Sequence, residues 1–583
     1  MLLQRLREYS ERLPLPPSLY AETPIRYVIE VKPDGTFGGL TDTADPTERK
    51  NRRGVPRLAP QVKRAVGIKP LLLADNAEYT FGLAREGSRP ERVESTHEAY
   101  LELLDECLVA TNAPEVAAVR AFLTAPGWDE GTFPEDFDRA AMSTFRVGEQ
   151  FVTDLPAVQA FWATTNAPDE GAIRMQCLTC GQERPVLERL QTVIKGIPGG
   201  QTSGTSIISA NASAFESYGL TASLTAPTCS DCGERFTRAL NDLLADQHSR
   251  IRFDDSVYVF WTRADQTQAL APLLEEADPA EVKLLLESVK TGKRAVGPEP
   301  ERFFALALSA AGGRAVVREW IDTTLPEAEE ALARWFRRQG IVDGFSEETR
   351  YFGIKSLAGA TVRDWRDISP PTTRTLLRAA LTGAPLPMDM LAAAVRRTQA
   401  DQGVNAPQAA LIKLVLTSQD ALNSGDNGDE KEDNMTGLQA DYPSIGYQCG
   451  RLMAVLESIQ RSALPGVKAG IVDRYYGSAS SSPAGVFPRL VKGAKPHLTR
   501  LKRDKPGAYV ALQQRLEEVS VNIPPVLPSV LSLPEQGSFA LGYYHQRAHD
   551  RSRAMAAKAR VAAGQATDQD RHDADVDEED SND

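Results

Sequence analysis

The chain of 583 residues and 63.6 kDa is long enough for three or four average domains, or two large ones. Its apolar fraction of 42% and charged fraction of 25% are ordinary globular values, which excludes collagen-like, coiled-coil and wholly disordered classes. A formal charge of −13 argues against a nucleic-acid binder, because phosphate contacts need Lys and Arg, but a net charge does not say where the charge sits.

In chain order, Met1-Leu2-Leu3-Gln4-Arg5-Leu6-Arg7-Glu8 reads as an amphipathic helix without the apolar core or cleavage site of a signal peptide. No stretch of about 18 apolar residues marks a transmembrane helix, so no membrane partner is expected, and the two Cys-x-x-Cys pairs suit a reducing cytoplasm. Residues 1–169 read as an α+β region. Arg26-Tyr27-Val28-Ile29-Glu30-Val31 and Thr36-Phe37 are strands about the turn Pro33-Asp34-Gly35, and 95–126 is helical. Residues 170–250 carry two cysteine pairs. Residues 251–419 are mixed, with a buried strand at Val257-Tyr258-Val259-Phe260-Trp261 and helices near 279–290 and 371–382. Residues 420–434 are an acidic linker, 435–565 a helical bundle, and 566–583 a disordered acidic tail. The tail holds nine acids against Arg571, and the linker holds six against Lys431, so these two segments account for the whole −13. What remains is formally neutral, and the expected arrangement is a body able to bind nucleic acid with a tail that repels non-specific DNA. The expected fold class is α+β: an N-terminal mixed region with an inserted zinc-ribbon module, then a C-terminal helical bundle.

Cys177-x-x-Cys180-Gly181 and Cys229-x-x-Cys232-Gly233 lie 48 residues apart. Each pair sets two thiolates on one turn, and two such knuckles predict a four-cysteine structural Zn²⁺ with no open coordination position. The glycines are expected to let the backbone turn. Cys107 and Cys449 read as buried apolar residues. Between the pairs, Gly199-Gly200-Gln201-Thr202-Ser203-Gly204-Thr205-Ser206 has phosphate-loop spacing but Thr205 where Lys is required, so it reads as a flexible loop on the zinc module. Its amides and hydroxyls could touch a nucleic-acid phosphate. No His-Glu-x-x-His pair, Gly-x-Ser-x-Gly elbow or kinase set occurs, and His549-Asp550 reads as a solvated helical face.

Two stretches point to nucleic acid. Residues 49–69 hold Arg49, Lys50, Arg52, Arg53, Arg57, Lys63, Arg64 and Lys69 with no acid, in a Pro- and Gly-containing loop suited to a phosphate backbone. Residues 489–505 hold Arg489, Lys492, Lys495, Arg500, Lys502, Arg503 and Lys505 against Asp504 alone. Arg547 and its neighbours add a third basic helix. Asn76 reads either as a base-edge reader or as a helix cap.

Five segments then carry a resemblance. They are Gly67-Ile68-Lys69-Pro70 with Asp75-Asn76-Ala77 and Tyr79; Asn211 with Ala214-Phe215-Glu216-Ser217-Tyr218-Gly219; Val259-Phe260-Trp261; Asp473-Arg474-Tyr475-Tyr476-Gly477-Ser478-Ala479-Ser480 with Val486-Phe487-Pro488-Arg489-Leu490; and Gln536-Gly537-Ser538-Phe539-Ala540-Leu541-Gly542-Tyr543-Tyr544-His545-Gln546-Arg547. The chain resembles the Csd family, the large subunit of the type I-C CRISPR surveillance complex (Cascade). The resemblance implies a non-enzymatic subunit that reads a protospacer-adjacent motif on double-stranded DNA, promotes unwinding and R-loop formation, and recruits a helicase–nuclease. Its implied partners are a guide-RNA ribonucleoprotein and the Cascade backbone and guide-processing subunits. By position, Arg57, Lys63, Arg64, Lys69 and Asn76 are the motif-reading candidates. Asn211 with the loop 199–206 comes second, and Arg489, Lys492 and Arg547 complete the DNA-binding set. Large subunits of this kind also yield a small subunit by internal translation. Lys431-Glu432, encodable as AAG-GAG before Met435, marks a start for such a product over residues 435–583. Two alternatives stay open: a zinc-ribbon enzyme on nucleic acid, such as a nuclease, and a purely structural RNA–protein assembly subunit.

Overall fold

A computed structural model describes all residues except 14–16, 18, 46, 49–51, 63, 65–66, 86, 126–132, 135, 167–171, 191, 211, 254, 264–269, 292–300, 347, 425–434 and 577–583. The fold is mixed α+β, with the strands in the first part of the chain and helices predominating after it. The chain divides into two compact units. One comprises residues 1–246, 252–257 and 307–320, and the other 247–251, 258–306 and 321–583.

The first unit opens with α1 (Leu2–Ser10), β1 (Tyr20–Ile25), β2 (Tyr27–Val31), β3 (Phe37–Asp42), β4 (Val55–Pro60), β5 (Ala74–Asn76) and α2 (Ala77–Thr80). It continues through α3 (Pro90–Thr111), α4 (Pro114–Thr124), β6 (Met142–Val147), β7 (Gln150–Phe151), α5 (Pro156–Thr165), β8 (Arg174–Gln176), β9 (Glu183–Pro185) and α6 (Ser230–Ala245). The central sheet has the order β3-β2-β6-β5, with β7 paired to β6. β2 and β3 form the expected hairpin, and β2 runs parallel to β6 with Ile29 beside Phe145. Apolar residues of β2 and β6 share a core with Tyr100 and Leu104 of α3 and Val119 and Phe122 of α4. The basic stretch is not wholly a loop. Residues 55–60 form β4, which pairs antiparallel with β1, Arg57 lying opposite Thr23.

The strands β10 (Arg250–Arg252), β11 (Ser256–Thr262), β12 (Arg302–Ala311) and β13 (Arg314–Thr324) form a sheet in that order, and β11 is buried along its whole length. α7 (Leu270–Glu275) and α8 (Pro279–Thr291) lie between β11 and β12 in sequence.

The second unit continues with α9 (Leu325–Gln339), the short hairpin β14 (Ile341–Val342) and β15 (Thr349–Arg350), α10 (Ile354–Gly359), α11 (Pro370–Thr382), α12 (Met388–Asp401) and α13 (Ala406–Ser424). It closes with α14 (Ile445–Ala463), α15 (Ile471–Ser481), α16 (Pro483–Asp504), α17 (Pro506–Val521), α18 (Leu533–Ala562) and α19 (Asp568–Ala574). α14 and α18 are packed backbone against backbone. A Cβ on Gly446, Gly450 or Gly542 would lie far inside contact with the carbonyl oxygen of Glu535, Phe539 or Tyr447, respectively. Polar pairs line the same seam: Tyr543 Oη donates to Glu457 at 2.6 Å, Arg451 Nε donates to Gln546 at 2.9 Å, and Tyr447 Oη meets His545 Nδ1 at 2.9 Å. His545 is fully buried, and burial holds its imidazole far below the ordinary value, at about 3, so the ring is neutral there.

Two expectations are corrected. The C-terminal tail is not disordered throughout. Asp568–Ala574 is helical, and Asp573 accepts from Arg515 at 3.0 Å and Arg553 at 2.9 Å while Asp570 accepts from Arg560 at 2.7 Å. Val576 completes the apolar core of α14–α18, so the segment is bound by its acids and one side chain. Of His549-Asp550, His549 is exposed as the solvated reading expects, but Asp550 is buried against Arg515 and Gln546.

The glycine seam gives a sharp expectation. Gly450→Ala or Gly542→Ala sets a methyl group against a neighbouring backbone that has no rotamer to yield, and should cost about 3 kcal/mol or more of unfolding free energy. Gly485→Ala on α16, where nothing lies near the added Cβ, should be neutral or slightly stabilising. Thermal or denaturant melts of the three variants check this; equal melts for all three would contradict the seam.

Candidate nucleic-acid interface and metal centre

The four paired cysteines converge. Cys177, Cys180, Cys229 and Cys232 place their sulfurs within 4.8 Å of one another, none in a disulfide. The first pair sits on the β8–β9 hairpin, where Gly181 at φ +72° lets its N–H turn back to the Cys177 carbonyl at 2.8 Å. The second pair is on no β-knuckle, so the site is not the expected ribbon of two matched knuckles. Cys229 caps α6 and Cys232 lies in its first turn, where the helix N-terminus favours thiolate. Gly233, inside α6, serves close packing against Leu190 rather than a turn. The hairpin and helix are stitched by the bridge Val186–Cys229 and by the Cys229 N–H, which points at Cys177 Sγ at 3.4 Å. A hydrogen bond from Cys232 holds the Cys229 thiol down to about 5, and the Cys232 thiol that shares this proton is pushed up. A cluster of four close sulfurs, three of them buried, is the donor set a tetrahedral thiophilic cation takes, and is compatible with structural zinc.

The loop 199–206 between the pairs is hydrogen-bonded into its surroundings rather than loose. Thr205 exchanges both backbone bonds with Ile194 at 2.8 Å, and Ser206 bonds to the carbonyl of Gly313 and to the N–H of Ala315 at 2.9 Å. Asn211 and Lys63 lie outside the described residues.

The N-terminal candidates separate into scaffold and surface. Arg57 is committed to Asp154 at 3.0 Å and stacks 3.4 Å above the Phe151 ring. Arg64 pairs with Asp75, donates to the Lys69 carbonyl at 2.7 Å and covers the Tyr79 ring. Asp75, fully buried, also accepts from the N–H groups of Leu71 and Asn76 at 2.8 Å. Burial pushes its carboxyl up against the pull of Arg64. Asn76 is the cap of α2, its side chain accepting from the Glu78 N–H at 3.1 Å. These residues therefore hold a turn whose tip, Gly67-Ile68-Lys69, stands exposed with Gly67 at φ +82°. Arg52, Arg53 and Lys69 are exposed and make no ion pair among the described residues.

In the second unit, Arg489, Lys492, Arg500 and Arg503 share one face of α16, opposite the buried Phe487, Leu490, Ala494 and Leu501. Over that 15-residue span the stripe is about 21 Å long. Arg500 and Arg503 share Asp504, and Arg489 and Lys492 have no acidic partner among the described residues. Arg547 does not join this stripe. It is half-buried, with Tyr543 Oη at 3.3 Å and Glu457 at 3.8 Å.

The two longest motif segments meet inside the helical unit, where Tyr476 packs edge-on against Phe539 at 5.5 Å and Tyr543 at 5.4 Å. Compared with known families, residues 2–550 match the model of the CRISPR-associated protein (Cas_Csd1) family. The chain belongs to this family. It is thus a CRISPR-associated Cascade subunit of the large-subunit type. The Cas_Csd1 match ends inside α18, so α19 lies beyond it, while Arg515, which pairs with Asp573 of α19, lies within it. A search of curated proteins finds no match. Among the described residues no helix is long and apolar enough to cross a membrane.

If the sulfur cluster holds zinc, the purified chain carries about one zinc per molecule by elemental analysis, and Cys177→Ser with Cys232→Ser removes it. Stripping the metal should lower the melting temperature by several degrees, since metal binding free energy is folding free energy. A metal-free protein with four freely titratable thiols at this site would contradict the reading.

Proposed function

We propose that this Cas_Csd1 chain is a non-catalytic DNA-recognition subunit. It reads a short flanking motif on duplex DNA, opens the duplex for guide-RNA pairing, and recruits a helicase–nuclease to the assembled complex in the cytoplasm. The observation that carries the reading is the family match over residues 2–550. The geometry supports a division of labour: the Gly67–Lys69 tip, fixed from behind by Arg64 and Asp75, suits base-edge or groove contact, whereas the exposed stripe on α16 suits phosphate. Reconstituted with guide RNA and its co-purifying subunits, the complex should prefer a subset of randomised flanking trinucleotides. Lys69→Ala should flatten that preference. Arg489→Glu with Lys492→Glu should weaken all sequences about equally and reduce the salt slope by about 2. No flank preference would favour a structural RNA–protein role, and cleavage by this chain alone would favour an enzyme.

One observation favours a second product as well. The buried residues of the core cluster of the α14–α18 region run from Cys449 to Val576, although Val404 packs on that cluster and Leu391 and Ile412 pack on Gly537 of α18. A polypeptide begun at Met435 would keep that core, the glycine seam and the α16 stripe. It suits a small helical subunit lining displaced single-stranded DNA. Synonymous recoding of codons 431 and 432 should abolish a short co-purifying band of residues 435–583; an unchanged band would refute it.

A further inference from the structure

Between its two cysteine pairs the chain projects a finger. Residues 212–219 are exposed throughout. Ser213–Phe215 forms one tight turn, and Ser217 to Leu220 closes another, with the Leu220 N–H donating to the Ser217 carbonyl at 2.9 Å. Both central residues have positive φ, Tyr218 at +54° and Gly219 at +73°. That is a type I′ turn, whose first central position ordinarily takes Asn, Asp or Gly. Here it takes a tyrosine whose surface is 99% exposed. Folding does not explain the choice, because the residue is strained and buries nothing; strain of this kind is kept where recognition uses it.

The surroundings narrow the ligand. Phe215 is the second exposed ring of the finger, and the Arg314 guanidinium lies 4.1 Å above it. The other exposed residues of the finger, Ala212, Ser213, Ala214, Glu216, Ser217 and Gly219, are small or polar. Glu216 puts a carboxylate on the finger, which disfavours tracking along phosphates and favours a ring that enters at an end or opening of the stack. The base of the finger is firm: the Ser223 N–H bonds to the Glu188 carbonyl at 2.9 Å, and the Leu187 N–H to the Thr228 carbonyl at 3.0 Å, next to Cys229.

We infer that Tyr218 stacks on an unpaired nucleobase at the point where duplex DNA opens, with the four-cysteine centre anchoring the finger that carries it. This rests on the DNA-recognition reading and adds the residue that engages the opened base. The test uses the full-length chain and two DNA probes of equal length and sequence, one fully paired and one forked, each with 2-aminopurine at the junction position. The wild type should bind the fork more tightly and quench its 2-aminopurine. Tyr218→Ala should lose the quench and roughly tenfold of the fork affinity while binding the paired probe as before, and Tyr218→Trp should restore both. Fork binding and quenching unchanged in Tyr218→Ala would overturn the inference, as would an equal loss on both probes. Paired-duplex binding without fork preference in the wild type defeats the finger alone; no binding to either probe defeats the DNA reading with it. Loss of a bound subunit from Tyr218→Ala, with both probes still held, would assign the ring to a protein partner instead.

Discussion

The helical unit depends on how close α14 and α18 come. Side chains normally keep helix axes 8–10 Å apart, and Gly446, Gly450 and Gly542 remove them where the backbones meet. Once the carbonyls of Glu535, Phe539 and Tyr447 face bare Cα atoms, the flanking polar groups have little freedom. Ser444 Oγ and the Gly446 N–H both reach Glu535, at 2.7 and 2.5 Å. Glu457 takes Tyr543, and Gln546 takes Arg451. The Tyr543–Glu457 and Arg451–Gln546 bonds are buried, so leaving one partner unmatched costs more than the bond itself contributes, and the register of the two helices is strongly specified. α15, α16 and α17 then pack on a pair whose spacing is already set.

The first unit solves a different problem. In its cysteine module 48 residues intervene between the two pairs. A single cation at the sulfurs would tie the β8–β9 hairpin to the start of α6 and so close that long insertion at its base. The insertion is then free to present surface: part is hydrogen-bonded against Ile194 and Gly313, and part stands out as the aromatic finger.

Much of this was legible in the sequence, for reasons that can be named. Cys-x-x-Cys spacing is local chemistry, and it located the metal candidate. Alternation and turn residues located the β2–β3 hairpin, because Pro33-Asp34-Gly35 forces the reversal. The sequence motifs around Tyr476 and Phe539-Tyr543 carried the family. What a linear reading could not supply was partnership. Arg57 and Arg64 look like free cations until Asp154 and the buried Asp75 appear beside them, 97 and 11 residues away in sequence. Asn76 could be a reader or a cap, and only the fold shows it bonded to the Glu78 N–H. The second cysteine pair was misread as a knuckle because Cys-x-x-Cys is equally at home on a hairpin and in the first turn of a helix. Tyr218 stood in one of the segments that carry the family resemblance, but its exposure and positive φ belong to the folded chain and gave the sequence reading no role for it.

The charge of −13 shows why partnership matters more than totals. Asp570 and Asp573 are counted as part of an acidic tail, yet they neutralise Arg560, Arg515 and Arg553 within the helical unit. On the other side of the count, several arginines of the basic stretches are spent on the fold. The field a phosphate meets is set by the cations left without acids, and among the described residues of the basic stretches these include Arg52, Arg53 and Lys69 in the first unit and Arg489, Lys492, Lys495 and Lys502 in the second. A chain can therefore be acidic overall and still offer a spaced row of unpaired cations, provided its carboxylates are held against its own guanidinium groups.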